Sequence, residues 1–126
     1  MTPFGEKIRE LRKVKKISLK KMSEDLGVSS AYISALEHGH RGQPSSGLIN
    51  QICGYLNLTW DDSEALNEVA GLSHPRVVID TAGMSANRTL LANVLAEKIK
   101  NLDEETIEWV LAEILSRNGP YTGPTF

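Results

Sequence analysis

A chain of 126 residues, 40% hydrophobic and 24% charged, is long enough for one modest core, or for a small domain with an appendage. No apolar run approaches the roughly 18 residues of a membrane span, the opening MTPFGEKIRELRK lacks the apolar stretch of a secretory signal, and the single Cys53 makes no internal disulfide, so a cytoplasmic protein with no membrane partner is expected. The net charge of -2 hides a split: residues 1–41 hold nine basic and five acidic side chains and the remainder five basic and eleven acidic, as for a basic polyanion-binding surface beside an acidic body.

Phe4, Ile8, Leu11 and Val14 fall on one helical stripe, with Thr2 as N-cap and Pro3 in the first turn. Ser18 caps a short second helix, Leu19 to Leu26, whose inward residues are Leu19 or Met22 with Leu26. Gly27 ends it, since glycine takes the left-handed conformation without a Cβ penalty. Ser29 caps a third helix, with Val28 and Ile33 placed as a hydrophobic staple. Ile33 and Leu36 turn inward, which leaves Ser30, Ala31, Ser34 and Ala35 outside, flanked by Tyr32 and His38. Lys and Glu would ordinarily cover such a face; small side chains there let something else come close. Two helices joined by a tight glycine turn, the second with a small polar outer face, form the helix-turn-helix pattern.

After Gly39 the stretch HRGQPSS is a loop rich in helix breakers. Leu48, Ile49, Ile52, Tyr55 and Leu56 mark a fourth helix, and Thr59 caps a fifth that buries Leu66, Val69 and Ala70 and stops at Gly71. Five short helices over residues 1–71 make a compact all-α domain. Residues 72–84 read as an extended linker or dimer strand: Arg76 to Thr81 is β-branched after Pro75, and a lone strand must pair with a copy of itself or pack as an ordered linker. Residues 85–118 return to helix as a hairpin. Ser85 caps one arm, with Leu90, Leu91, Val94, Leu95 and Ile99 on one side; Asp103 caps the other, with Ile107, Val110, Leu111, Ile114 and Leu115. Gly119 and Pro120 end it, and residues 119–126 read as a flexible tail.

Several of these spaced features together resemble the Cro/CI-type (XRE) helix-turn-helix family of bacterial and phage regulators. The likeness covers roughly Phe4 to Gly71. It rests on Ile8-Arg9-Glu10-Leu11-Arg12 in the first helix, the Gly27-Val28-Ser29 turn, Ile33-Ser34 and Leu36-Glu37-x-Gly39 in the third, Arg41 and Pro44-Ser45 in the loop, and the Ala70-Gly71 ending. The resemblance implies a five-helix lambda-repressor-like DNA-binding domain, here followed by the extended segment and the C-terminal helical hairpin. It also implies a structural ion pair between Arg12 and Glu37. Two positions depart from the family pattern: Leu19 stands where a phosphate-reaching Gln is common, and Ser23 replaces a small Ala. The loop from His38 to Pro44 is one residue longer than the common form.

In helix-turn-helix docking the start of the second helix of the motif meets base edges while the first crosses the backbone. Base-contact candidates are therefore Ser29, Ser30, Ala31, Tyr32, Ser34 and Ala35. None offers the bidentate contact of Arg to guanine or Asn to adenine, so phosphate charge and DNA shape are expected to carry much of the specificity. Phosphate-contact candidates are Lys15, Lys16, Lys20, Lys21, His38 and Arg41. The expected function is a sequence-specific, double-stranded-DNA-binding transcriptional regulator, a homodimeric repressor on a palindromic operator, without cofactor. Val77, Ile79, Leu91, Leu95, Trp109, Val110 and Ile114 are the dimer-interface candidates. The alternative is an antitoxin whose C-terminal half binds a partner toxin while its first domain autoregulates the operon. His38, His40 and His74 lack the further ligands of a metal site, Asp80-Thr81-Ala82-Gly83 lacks any accompanying phosphate loop, and no catalytic set stands out, so neither a metal nor an enzyme is expected.

Overall fold

The computed structural model describes residues 1–118, which contain seven α-helices and no strand. They are α1 (Pro3–Lys15), α2 (Leu19–Leu26), α3 (Ser30–Glu37), α4 (Ser46–Tyr55), α5 (Trp60–Gly71), α6 (Ala86–Lys98) and α7 (Glu104–Asn118), with a 3-10 turn, Ile99–Asn101, after α6. The helix end expected at Gly119-Pro120 and the tail after it lie outside the described residues.

The starts of these helices follow from short polar side chains that supply an acceptor to the otherwise unpaired first-turn amides. Thr2 Oγ1 accepts from the Gly5 amide, Ser18 from Lys21 and Ser29 from Tyr32, each at 3.0 Å. Thr59 and Ser85 do the same for α5 and α6, and Asp103 Oδ1 accepts from the Thr106 amide at 2.8 Å for α7. The sixth hydroxyl cap, Ser45 on α4, accepts from Leu48. The Thr106 hydroxyl and amide hold the Asp103 carboxyl below its ordinary range, the side-chain bond being the larger cause.

The described residues fall into two units, Met1–Arg76 and a second beginning at Val77. In the first, Phe4, Ile8 and Leu11 of α1 meet Met22 of α2, Ile33 and Leu36 of α3, Ile49 and Ile52 of α4, and Leu66 and Ala70 of α5 in one core. Cys53 and Val69 border it, half-buried. Val14 does not join it: 73% of its surface is exposed, because α1 has run past the edge of the core by its last turn and closes there on a left-handed Lys16. Leu19 and Leu26 are also only half-buried, leaving Met22 as the α2 anchor.

The second unit has no comparable interior. No residue of α6 or α7 is buried. Residues 77–81 form no strand; Ile79 and Thr81 line an apolar groove with Leu91 and Leu95 of α6. These residues are largely exposed, so water can take up their backbone groups within one chain and no partner strand is needed there.

Candidate nucleic-acid interface

The turn between α2 and α3 is set by Gly27, at φ +74°, whose amide donates to Glu24 and whose successor Val28 donates to the Ser23 carbonyl. These bonds satisfy the last carbonyls of α2 and fix the direction in which α3 departs. Deeper in the same junction Ser23 is buried, its hydroxyl 2.9 Å from the Lys20 carbonyl and 2.7 Å from Ser30 Oγ. The Ser in place of Ala is therefore accommodated by a hydroxyl pair between the helices. It also turns Ser30 toward α2: this residue, expected on the outer face, has its oxygen engaged in the helix junction.

The remaining outer face of α3 is small. Ala31 is exposed and Ser34 and Ala35 are half-buried, while Ser29 is occupied as the cap. Tyr32 is half-buried, and the Arg41 guanidinium lies 6.0 Å from the centre of its ring, at the outer limit of a cation–π contact. His38 ends the helix, with Nδ1 2.8 Å from the Ser34 carbonyl and its ring stacked on His40 at 6.3 Å between centroids. The loop that carries Arg41 is fastened from behind by Gln43, whose side-chain amide donates to the Ala70 carbonyl at 3.1 Å.

Lys15, Lys16 and Lys20 are exposed around the start of α2. Lys21 is exposed too, but its ammonium is 3.3 Å from Asp25 Oδ1, one turn along the same helix. Asp25 in turn accepts from the Tyr55 hydroxyl at 2.6 Å, joining α2 to α4. That hydrogen bond, with a smaller contribution from Lys21, lowers the Asp25 carboxyl from its ordinary value, and the same bond raises the Tyr55 hydroxyl. A phosphate approaching Lys21 must compete with this carboxylate.

The far end of α3 is tied to α1. Arg12 Nη2 lies 3.2 Å from Glu37 Oε2, with Arg9 Nε at 4.0 Å from the same oxygen. Glu37 is fully buried, and neither its Oε1 nor Arg12 Nε has a hydrogen-bond partner among the described residues. The Glu37 carbonyl receives the Thr2 amide at 2.8 Å and the Thr2 hydroxyl at 3.1 Å, and the Phe4 amide donates to Ser73 Oγ after α5. Sequence reasoning did not find this second tie. Its one signal is Gly5 inside a helix: a Cβ there would overlap the Glu37 carbonyl oxygen.

In the second unit the interface candidates Val77, Ile79, Leu91, Trp109 and Ile114 are exposed, and Leu95 and Val110 half-buried. No helix among the described residues is long and apolar enough to cross a membrane.

Residues 5–63 match the family model described as a helix-turn-helix domain. The chain is similar to two proteins of Bacillus subtilis (strain 168). One is described as the uncharacterized HTH-type transcriptional regulator RghRB, 36% identical over 62 residues, which are 49% of this chain and 45% of that protein. The other is the HTH-type transcriptional repressor RghR, 34% identical over 61 residues, 48% and 45% of the two chains. The chain thus spans less than half the length of these relatives. An uncharacterized HTH-type transcriptional regulator of Mycobacterium tuberculosis (strain CDC 1551 / Oshkosh) is 29% identical over 100 residues, 73% of this chain and 69% of that one. No solved structure matches. With α2, the Gly27 turn and α3 all inside the matched span, residues 5–63 form a helix-turn-helix domain similar to those of HTH-type transcriptional regulators.

Proposed function

We propose that the chain is a cytoplasmic, sequence-specific regulator that inserts α3 into the major groove of duplex DNA and acts as a homodimeric repressor on a palindromic operator. The observation that carries this reading is the small outer face of α3, Ala31 with Ser34 and Ala35, together with exposed cations at Lys15, Lys16 and Lys20 around the start of α2 and at Arg41 over the Tyr32 ring. Small side chains let a helix backbone come near base edges, and Ala31 or Ala35 suits a thymine methyl while Ser34 can donate or accept. One relative, RghR, is a transcriptional repressor, which supports the direction of regulation. Two domains on one operator double the few base pairs that a single small domain grips, which supports the dimer.

Duplexes selected from a random pool are expected to bind with an affinity that falls as salt rises. Each cation that contacts a phosphate contributes about one unit to the slope of log affinity against log salt. Lys20→Ala is therefore expected to weaken all duplexes alike and flatten that slope by about one. An unchanged slope removes Lys20 from the interface, and a protein with no salt-sensitive affinity for any duplex removes the whole reading.

A further inference from the structure

We infer that residues 77–118 are completed by a second copy of the same segment, with α6 of one protomer seated against α7 of the other; this rests on the dimeric reading above and names its surfaces. Leu90, Leu91 and Val94 on α6 and Leu111, Ile114 and Leu115 on α7 are each 45–62% exposed. At about 100 Å² apiece they present ~600 Å² of apolar surface, and Trp109, 65% exposed, adds about 150 Å². That total is close to the ~800 Å² that each partner buries in an interface of standard size.

Charge selects the pairing. Arg88, Lys98 and Lys100, against Glu97, leave α6 and its 3-10 turn with a net of +2, whereas Glu104, Glu105, Glu108 and Glu113, against Arg117, leave α7 at -3. Packing α6 on α6 and α7 on α7 would oppose like charges at both contacts. Packing crosswise opposes unlike charges twice, because a twofold axis makes each contact of residue i with j recur as j with i.

Two variants of the full chain test this. One carries Arg88→Glu, Lys98→Glu and Lys100→Glu, so that both helices are acidic; the other carries Glu104→Lys, Glu105→Lys and Glu108→Lys, so that both are basic. Sedimentation at low salt is expected to show a dimeric parent, at least tenfold weaker self-association of each variant alone, and recovery of dimer when the two are mixed in equal amounts. Recovery on mixing excludes both a folding defect and attraction within one chain, neither of which a second protein repairs. Variants that dimerise like the parent, or a mixture that does not recover, overturn the crosswise pairing and leave the dimeric reading standing. A parent that stays monomeric, or associates only with a different co-expressed protein, overturns both. DNA binding through α3 is read separately, by the salt titration of the parent.

Discussion

Arg12→Met is expected to lower the unfolding free energy of the first unit by about 3–5 kcal/mol, the loss being set by the carboxylate it leaves behind. Glu37 is fully buried and the Arg12 side chain only 12% exposed, so neither charge has water to return to. Arg9, at 4.0 Å, offers partial relief, but more than half its side chain is in solvent and its hold on the carboxylate is weak. Replacing both partners, Arg12→Met with Glu37→Met, is expected to return stability to within about 1 kcal/mol of the parent or above it, since Glu37 Oε1 and Arg12 Nε are incompletely compensated where they stand. Urea unfolding of the parent and the two variants measures this. A single variant as stable as the parent would mean that the pair holds nothing in place.

Gly5→Ala is expected to destabilise the domain by about 1–3 kcal/mol, although Ala is the better helix former by about 1 kcal/mol. The new Cβ would overlap the carbonyl oxygen of Glu37 and come within 2.8 Å of its Cα. The Met1 sulfur, also in the way, can swing aside, but the end of α3 cannot move without disturbing the ion pair and the two Thr2 hydrogen bonds. Gly54→Ala in α4 is the control: nothing lies within 4 Å of its Cβ, and a gain of about 0.4–1 kcal/mol is expected. Thermal unfolding of the pair separates steric overlap from helix propensity. Equal shifts in the same direction would sink the steric account.

The helices of the first unit were legible because each carries two local signals, an apolar stripe and a short polar cap. Thr2, Ser18, Ser29 and Thr59 are recognisable from their own neighbours in the chain, as Ser85 and Asp103 are for the helices after residue 84. Ser45 was hidden inside a loop whose composition spoke only of helix breaking. The misses share a different cause. Val14 continues the stripe of α1 in sequence, but whether a core still lies beneath it depends on where the other helices end. Ser30 looks outward by periodicity, yet its oxygen finds Ser23 across the junction. Gly5 and Thr2 meet Glu37 across more than thirty residues of chain, and no spacing rule reports a contact of that kind. In the second unit the periodicity of both helices was plain, because it depends on the chain alone.

The Thr2 amide bears on how the domain breathes. Backbone near a chain end ordinarily trades its hydrogens with solvent almost at once, because fraying there needs little energy. Thr2 is instead buried, and its amide is bound 2.8 Å from the Glu37 carbonyl at the end of α3. Releasing it means parting α1 from α3. In deuterium oxide this proton is expected to exchange as slowly as those of Ile8 or Ile52, so the second residue of the chain becomes a reporter of cooperative opening in the helix proposed to read DNA.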